Sequence, residues 1–407
     1  MNLTKAEIDN LVATMSPEEI KNWVQQQAYG AWMRADCRGT FEGATGVGKT
    51  RVGVMAAWQE LKSNPDALVY ISVPTETLRD VDWPDEFRKW GHEDLLDKVK
   101  ILCHTSMEKE KPECDVDLFI FDEVHHVTVL NTMFFGRDWK VFKVLGLTAT
   151  LPDKDANEND RDKRILIDGL CPSVFKVTVE EAIALKLVSD FEVVVLKFDL
   201  DDTQHVILSG TKKAPCKRTE KGHYDYLTKN LSKCMYMKSK EGLKFVWIQK
   251  RMAFLYNLPS KLQLAKQVMQ HVLTEKDGTP LRTLIFCGSI EQSRELCGEN
   301  VYNSKTDSGK LDAFQAKEID YLGVVDALNE GKNIDDLDQS IIIQLSSKEL
   351  KLIQRIGRNI RFREGHVGKI IVLVAKGTAD EKWYKTAFAN FDRSRIKEHY
   401  VTTKQTV

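Results

Sequence analysis

The stretch Gly43-Ala44-Thr45-Gly46-Val47-Gly48-Lys49-Thr50 decides the fold of this chain. It has the pattern G-x-x-x-x-G-K-T of a phosphate-binding loop, between a predicted strand at residues 39–42 and a predicted helix at residues 52–61. Glycines let backbone N–H groups turn toward phosphates, and the helix N-terminus adds a partial positive charge. We expect Lys49 to reach the β- and γ-phosphates of a nucleotide and the Thr50 hydroxyl to bind Mg²⁺. The predicted nucleotide-binding residues of the loop are Gly43, Thr45, Gly46, Gly48, Lys49 and Thr50.

The composition limits the class of protein. A length of 407 residues suits two or three domains, and 59 basic against 60 acidic residues leave a net charge of −1, so any nucleic-acid-binding face must be local. The eight cysteines form no C-x-x-C pair, which favours reduced thiols over a zinc site or a disulfide framework. The first residues start no signal peptide and no apolar run approaches membrane-spanning length. We expect a cytoplasmic protein (host cytoplasm if viral) without a membrane partner.

Two helices are predicted before the phosphate-binding loop. Thr4 and Ser16 suit their N-caps, and Pro17 suits the first helical position of the second helix. Gln25 lies on that second helix, a place from which a glutamine side chain suits reading of the adenine edge of ATP. A solvated polar helix face explains the same residue equally well.

Strands and helices alternate after the loop. Apolar, β-branched runs at residues 67–74, 98–105, 116–123 and 141–149 predict buried strands of a parallel sheet with ligands at its carboxyl edge. Residues 154–163 are charged and predict a surface loop, and a strand and a helix at residues 173–188 complete the first lobe.

A second α/β block follows near the C-terminus. It contains a predicted helix at residues 262–273, strands at 281–289, 321–328, 340–345 and 369–375, and a C-terminal helix from residue 378 toward 399. We therefore predict an α/β fold of two parallel-sheet lobes in tandem, over residues 1–190 and 259–407, with a basic accessory segment at residues 191–258.

The accessory segment is unusually basic. Residues 212–251 hold twelve Lys or Arg against three acids, with five aromatic residues among them, and residues 201–257 show little periodicity. This pattern suits contact with a nucleic-acid backbone plus base stacking; a linker whose aromatic residues pack on the second lobe is the alternative. Residues 245–248 read as a packed strand. The predicted contact residues are Lys212, Lys213, Lys217, Arg218 and Lys221.

Two carboxylates, Asp122 and Glu123, close the strand at residues 116–123. Adjacent side chains at a strand end point in different directions, so we assign Asp122 to the metal ion and Glu123 to the attacking water. His125 and His126 follow, but adjacent histidines do not share one face and do not favour a zinc site. We expect His125 to couple the nucleotide state to the next strand.

A basic stretch lies near residue 355. Gln354, Arg358 and Arg361 fall on one helix face at i, i+4 and i+7. Two guanidinium groups and an amide suit a triphosphate held by another surface, where arginine fingers contribute about 10³–10⁵ in rate. A solvated basic helix face is the alternative.

In this order, the phosphate-binding loop, D-E-x-H, T-A-T at residues 148–150 and Q-R-x-G-R-x-x-R at residues 354–361 resemble superfamily 2 helicases of the DExH type, most closely the branch of phage UvsW and XPB. The resemblance covers about residues 20–400 and includes residues 73–75, 284–287 and 326–333. It implies two RecA-like lobes that bind ATP and Mg²⁺ between them. Further roles implied by the resemblance are ATP contact for Gly331 and Asn333, coupling for Thr148 and Thr150, and sugar-phosphate contact for Thr75, Thr105, Ser106 and Ser289.

The resemblance implies an ATP-driven DNA helicase or branch-migration motor, 3′-to-5′, acting as a monomer on forked or single-stranded DNA. Three alternatives stay open: an RNA-directed helicase, a nucleotide-dependent translocase or switch without strand separation, and the motor of a restriction complex. UvsW-like proteins carry a DNA-binding module before the first lobe, and only about twenty residues precede Gln25 here. This difference puts independent docking on a duplex in doubt.

Overall fold

The structure is a computed structural model. It describes residues 1, 3–136, 138–155, 158–211, 214–236, 242–303, 309–325, 334, 336–345, 363, 365–388 and 391–402. The described residues form two compact units, the first over Met1–Ser189 together with Arg363, Gly365 and His366, and the second over the other described residues from Asp190 onward. Among the helices that the structure describes, none combines the length and apolar character needed to cross a membrane.

The first unit begins with helices α1 (Lys5–Thr14) and α2 (Pro17–Arg34). The predicted N-caps are confirmed. The side chains of Thr4 and Ser16 each accept a hydrogen bond from the backbone three residues on, and the glutamates at those positions bond back to the caps. These capping boxes satisfy backbone N–H groups that have no partner inside the helix.

The first sheet has six parallel strands in the order β3-β2-β4-β5-β1-β6. Its strands are β1 (Arg38–Gly43), β2 (Val69–Val73), β3 (Val99–Cys103), β4 (Val116–Asp122), β5 (Val141–Thr148) and β6 (Ser173–Val177). The helices between them are α3 (Lys49–Ser63), α4 (Trp83–Lys89), α5 (Val129–Thr132), α6 (Glu158–Leu170) and α7 (Val179–Ala184). The predicted strands of the first lobe are thus confirmed.

The central strands carry the core of this unit. Phe119 and Phe121 of β4 are fully buried, and Phe119 packs on Tyr70 and Phe134. Strands buried on both faces read as continuous apolar runs, which is why the sequence indicated them clearly.

The surface loop predicted at residues 154–163 is wrong in its second half, because α6 begins at Glu158. Acidic residues in its first turn favour the positive end of the helix dipole. The apolar anchor Ile167 is fully buried and lies beyond the charged stretch on which the prediction rested.

The second unit contains a parallel sheet of seven strands in the order β11-β12-β10-β13-β14-β7-β15. Its strands are β7 (Asp190–Phe198), β10 (Thr283–Cys287), β11 (Val301–Asn303), β12 (Tyr321–Val325), β13 (Gln339–Ile342), β14 (Val367–Ala375) and β15 (Ile396–Tyr400). Its helices are α10 (Pro259–Val272), α11 (Ile290–Cys297), α12 (Gly309–Gln315) and α13 (Ala379–Ala387). The predicted start of the second lobe at residue 259 is therefore too late, since β7 pairs with β14 along its whole length.

The C-terminal helix predicted to run toward residue 399 is also wrong. Helix α13 ends at Ala387, and β15 adds an edge strand beside β7. Lysine–glutamate pairs across the two strands, Lys197 with Glu398 and Lys397 with Glu192, favour this pairing over a charged helix.

Between β7 and α10 lie an antiparallel hairpin, β8 (Ile207–Thr211) and β9 (Ala214–Arg218), and two helices, α8 (Glu220–Tyr236) and α9 (Lys244–Tyr256). We call residues 207–256 the accessory module. The low periodicity inferred here is wrong for α8 and α9, and the strand predicted at residues 245–248 lies in α9. Packing of α9 on α8 outweighs the strand propensity of its bulky residues.

The accessory module is fixed to the second sheet by buried polar contacts. The hydroxyl of Tyr224 accepts a hydrogen bond from the backbone of Ala379 (2.8 Å). The Glu220 carboxylate accepts two hydrogen bonds from Ser260, one from the Ser260 backbone N–H (2.9 Å) and one from the Ser260 hydroxyl (2.5 Å). The start of α8 is therefore held to helices α10 and α13 of the second unit.

Candidate nucleotide-binding and catalytic site

The phosphate-binding loop joins β1 to α3, as the sequence predicted. Gly46 (φ +101°) and Gly48 (φ +84°) adopt the left-handed conformation that glycine tolerates best. A Cβ atom on Gly48 would also lie 2.2 Å from Nε2 of Gln25. Both positions therefore require glycine, and Gly48 requires it for two reasons.

The side chains of the loop face the same turn. The Lys49 ammonium donates to the Gly43 carbonyl (3.1 Å), so it lies across the loop that it follows. Thr45 and Thr50 are half-buried beside it. The expected nucleotide-binding residues of the first unit are therefore close together, and the Lys49 ammonium lies against the loop itself.

Gln25 is buried against the loop and is not part of a solvated face. Its Nε2 donates to the carbonyls of Val47 (3.0 Å) and Gly48 (3.3 Å), and its Oε1 accepts from the Arg51 guanidinium (2.8 Å). The amide therefore holds the loop conformation. Adenine reading by Gln25 stays a prediction, and it requires the amide to exchange these partners for the base.

Asp122 and Glu123 diverge at the end of β4, as expected for adjacent carboxylates. Asp122 is buried and its Oδ2 accepts from the indole N–H of Trp83 (2.9 Å). Glu123 has positive φ (46°), which turns its side chain toward His125. A non-glycine residue in this conformation is uncommon and marks a constrained backbone.

The two carboxylates have opposite pKa shifts. Burial and the nearby charge of Glu123 raise the pKa of Asp122 to about 7. Burial alone would raise the pKa of Glu123, but the hydrogen bond from His125 and the charge of Lys49 outweigh it and hold its pKa at about 2. A bound cation would offset the cost of ionising the buried Asp122 carboxylate beside Glu123. The residues present therefore fit Mg²⁺ held by Asp122 and Thr50.

His125 connects Glu123 to the end of β5. Its Nδ1 lies 2.9 Å from Oγ1 of Thr148 and 3.3 Å from Oε2 of Glu123. The Thr148 hydroxyl donates to the Thr150 carbonyl (3.0 Å), so Nδ1 carries the proton that the two oxygens share. The coupling residues predicted from the motifs are therefore in direct contact.

The expected backbone-contacting residues lie at carboxyl ends of strands in their own units. Thr75 follows β2, and its hydroxyl accepts from the backbone of Leu78 (3.3 Å). Thr105 and Ser106 are exposed in a 3-10 helix (His104–Lys109) after β3. Ser289 caps α11 and donates to the side chain of Asn257 (2.9 Å).

Three predicted contact residues of the accessory module have different surroundings. Lys217 is exposed, the Arg218 guanidinium lies 4.0 Å above the Tyr226 ring, and Lys221 pairs with Asp202 at 3.3 Å. Lys221 is therefore already partly neutralised. The predicted site residues Lys212, Lys213, Gly331, Asn333, Gln354, Arg358 and Arg361 lie outside the described residues.

Sequence reasoning missed Trp83 and the pair of Arg51 with Trp90. Trp83 is fully buried on α4 and orients Asp122 across the sheet, while the Arg51 guanidinium lies 3.6 Å from the centre of the Trp90 ring. No local pattern marks either contact, because each joins residues about forty positions apart. The glycine at position 53 is the one sequence feature that fits the Trp83 contact, because a Cβ atom on Gly53 would lie 2.5 Å from the Trp83 ring.

Comparisons with known proteins agree with this geometry. A family described as Helicase conserved C-terminal domain matches residues 261–363, and one described as Type III restriction enzyme, res subunit, matches residues 14–116. The DNA 3'-5' translocase XPB2 of Sulfurisphaera tokodaii is 24% identical to this chain, and the alignment covers 88% of this chain and 82% of that protein. Together, the two family matches and this relative support an ATP-hydrolysing helicase of the superfamily 2 type.

Solved structures agree on the fold of this helicase. A restriction-modification enzyme, the ATP-dependent Type ISP enzyme LlaBIII bound to DNA, matches with a TM-score of 0.56 at 18% identity over 93% of this chain. The chain spans 31% of the length of that enzyme. Dbp5 of S. cerevisiae, bound to RNA and ADP BeF3, matches with a TM-score of 0.54 at 12% identity, over 93% of this chain and 89% of Dbp5. Both lobes therefore have the RecA-like helicase fold.

Proposed function

We propose that this helicase is an ATP-driven DNA translocase of the UvsW and XPB-related branch that unwinds or branch-migrates forked DNA, 3′-to-5′, in replication, recombination or repair. The observation that carries the motor chemistry is the buried contact of Glu123 with His125 and Thr148 beside the phosphate-binding loop. The translocase relative, aligned over 88% of the chain, favours DNA as the track. We expect the enzyme to work as a monomer in the cytoplasm.

The residues of the first unit have distinct roles in this proposal. Lys49 exchanges the Gly43 carbonyl for the phosphates of ATP, which the loop N–H groups hold. Asp122, oriented by Trp83, and Thr50 hold Mg²⁺, which when bound neutralises the charge that develops on the phosphates. The pKa of Asp122, about 7, falls when a cation is near, so binding of the ion also removes the cost of its buried charge.

Glu123 orients the attacking water by accepting a hydrogen bond from it. Its pKa of about 2 keeps it ionised at neutral pH, so it is always available as an acceptor. His125 fixes the carboxylate through the proton on Nδ1, and the same proton reaches Thr148 at the end of β5. A change at the γ-phosphate therefore reaches a second strand through two hydrogen bonds.

The accessory module is the proposed branch-point element. Arg218, Tyr226 and Trp247 form a continuous cation–aromatic contact, with the two rings 6.0 Å apart. Large apolar side chains near them are exposed, among them Leu208 (73%) and Phe245 (66%). Exposed aromatic and apolar groups beside basic ones suit stacking on bases and contact with phosphates.

The motor of a restriction complex is a second candidate. It is favoured by the description of the family that matches residues 14–116 and by the likeness to LlaBIII. In this candidate function, the motor moves along duplex DNA without separating its strands. We find no P-D-…-E-x-K nuclease pattern in this chain, so this candidate needs a nuclease partner.

Two assays test these proposals. ATP hydrolysis is measured with DNA and RNA of equal length and sequence, and we expect stimulation by DNA to exceed that by RNA. Strand displacement from a fork is then compared with displacement of a third strand from a triplex, which reports movement along a duplex. Displacement from the fork supports the helicase, triplex displacement alone supports the restriction-type motor, and greater stimulation by RNA contradicts both.

A further inference from the structure

Three imidazoles lie together at the carboxyl edge of the first sheet. The rings of His125 and His126 are 4.1 Å apart, and the ring of His126 is 6.4 Å from that of His104. His125 and His126 follow the catalytic carboxylates on β4, whereas His104 follows β3, which is separated from β4 by β2. The cluster therefore joins two strand ends that are not neighbours in the sheet.

Three contacts hold His104 in place. Its Nδ1 lies 2.7 Å from the hydroxyl of Ser72 on β2, and its ring packs edge-on against Phe121 of β4 (4.8 Å). Its backbone carbonyl accepts from the side-chain amide of Asn131 (2.7 Å). Burial and the imidazoles of His126 and His125 lower the pKa of His104 to about 3, so it is a neutral, hydrogen-bonding side chain at physiological pH.

The two ends of the histidine cluster contact different functional groups. At one end, His125 contacts Glu123 and Thr148, the groups that respond to the γ-phosphate. At the other end, His104 is the first residue of the 3-10 helix that exposes Thr105 and Ser106, the predicted sugar-phosphate contacts. No side chain of that helix other than His104 and Met107 is buried.

We propose that His104 is a positioning residue that links the catalytic carboxylate to the nucleic-acid-contacting helix, so that it sets how strongly nucleic acid stimulates ATP hydrolysis. This inference rests on the proposed function and extends it to a residue outside the motifs. A close-packed interior transmits small shifts because its side chains have no free space to absorb them. Movement of Glu123 and His125 thus reaches Thr105 and Ser106 through His126 and His104.

Coupling of this kind works in both directions. If nucleic acid changes the affinity for ATP by a given factor, ATP must change the affinity for nucleic acid by the same factor. A variant that breaks the link lowers both factors together, whereas loss of a direct phosphate contact lowers nucleic-acid affinity with or without nucleotide.

The test replaces His104 by leucine, which keeps much of the volume and removes the hydrogen bonds. ATPase rates are measured with and without single-stranded DNA, and DNA affinity with and without a non-hydrolysable ATP analogue. We expect the ratio of stimulated to unstimulated rate to fall about five-fold or more, and the effect of the analogue on DNA affinity to fall by a similar factor. Ser72→Ala, which removes only the hydroxyl partner, should lower both ratios in the same direction and serves as the test if the leucine variant does not fold.

His104→Asn is the rescue variant, since its amide can occupy the place of Nδ1 beside Ser72; we expect it to recover at least half of the stimulation. Met107→Leu is the matched control, because it alters packing of the same helix without touching the hydrogen bonds. Equal loss in Met107→Leu, or full stimulation in both His104→Leu and Ser72→Ala, overturns the proposal. If the unsubstituted enzyme shows no stimulation by nucleic acid, the proposed function itself fails, and that result is distinct from failure of His104.

Discussion

At the carboxyl edge of the first sheet the side chains of Asp122 and His125 are buried and hydrogen-bonded, whereas the accessory module presents charged and apolar side chains to solvent. Asp122 and His125 are each 4% exposed, against 73% for Leu208 and 66% for Phe245. Electrostatic interactions are strong in a buried site and are weakened by salt at a surface. Changes at the sheet edge should therefore act on turnover, and changes on the module should act on nucleic-acid affinity and its salt dependence.

The largest effect is expected from Glu123→Gln at the sheet edge. The neutral amide cannot replace the ionised carboxylate that orients the attacking water, so we expect kcat to fall by about 10²–10⁴ while ATP binding is kept. Lys49→Ala, in contrast, should weaken both binding and turnover, because it removes a charge that ATP contacts in the ground state as well. Single-turnover ATPase rates and nucleotide affinities separate the two outcomes.

Glu42→Gln is the matched control for this change. Glu42 lies near the end of β1, is buried and pairs with Lys176 at 2.7 Å, so the substitution also neutralises a buried carboxylate in the same sheet. We expect only a small change in kcat. Turnover close to normal in Glu123→Gln would show that another group orients the water.

The second prediction concerns the accessory module. Reversal of Lys212, Lys213, Lys217, Arg218 and Lys221 to glutamate should lower affinity for a fork at least about ten-fold at low salt. Each phosphate contact contributes about 0.7 to the salt slope on a single strand, so the slope should flatten by about 2 or more. ATPase activity without nucleic acid should be unchanged, since none of the five residues belongs to the phosphate-binding loop or to the carboxylate pair.

Five exposed lysines elsewhere in the second unit provide a control of equal charge: Lys266, Lys276, Lys310, Lys317 and Lys382. Reversal of these residues should change fork affinity much less. An equal effect of the two sets would mean that net charge alone governs binding. Survival of both fork affinity and unwinding in the module variant would show that the module only connects the lobes.

The same two regions differ in how well the sequence predicts them. The phosphate-binding loop and the strand that ends in Asp122 were predicted because their chemistry is local: glycines at fixed spacing, a buried apolar run and carboxylates at its end. The accessory module was misread, since the bulky residues 245–248 favour a strand by propensity but lie on α9, where helix packing decides.

Contacts between distant parts of the chain explain the remaining differences. The hydrogen bond of Trp83 to Asp122 and the contact of Ser72 with His104 join different elements, and no spacing rule predicts them. Pairing of β15 with β7 joins residues about two hundred positions apart. For Gln25, its position on the helix before the loop indicates the right neighbourhood but not the partners, because neither adenine reading nor a solvated helix face involves the loop carbonyls.

The third prediction uses the raised pKa of Asp122. Its pKa of about 7 in the folded protein exceeds its ordinary value of 3.8, so the folded state keeps a proton that the unfolded chain releases. Stability of the nucleotide-free protein must therefore fall as pH rises from about 4 to about 7. Asp122→Asn removes this penalty and keeps an oxygen to accept from Trp83, but it loses the hydrogen bond that Oδ1 accepts from the Glu123 backbone (3.0 Å). The net gain in stability at pH 8 should therefore be roughly 1–3 kcal/mol.

Thermal unfolding at pH 5 and pH 8 without Mg²⁺ measures this effect. A gain of 1 kcal/mol raises Tm by about 2–4 °C for a unit of this size. The gain should shrink at pH 5, where Asp122 is largely protonated in the folded state. Glu123 does not interfere, because its pKa is about 2 and its contribution is intact above its ordinary value of 4.5. A variant that is less stable than the unsubstituted enzyme at pH 8 would contradict the assignment of a buried, costly charge.

The smallest effect is expected at Ser289, which stands between the two kinds of region. It is half-buried where the accessory module meets the second sheet. Its hydroxyl accepts a hydrogen bond from the backbone N–H of Gln292 (3.1 Å) and donates one to the side chain of Asn257 (2.9 Å). Ser289→Ala should cost about 1 kcal/mol of stability through loss of the helix cap, and it should lower DNA affinity about two- to five-fold.

The Asn257→Ala variant and the double variant show whether Ser289 contacts DNA itself or acts through Asn257. If Ser289 contacts the phosphate backbone directly, Ser289→Ala lowers DNA affinity in the Asn257→Ala background as well, because the lost phosphate contact does not depend on Asn257. If Ser289 acts by holding the end of α9, the double variant loses no more than Asn257→Ala alone, and the salt slope stays as it is in the unsubstituted enzyme.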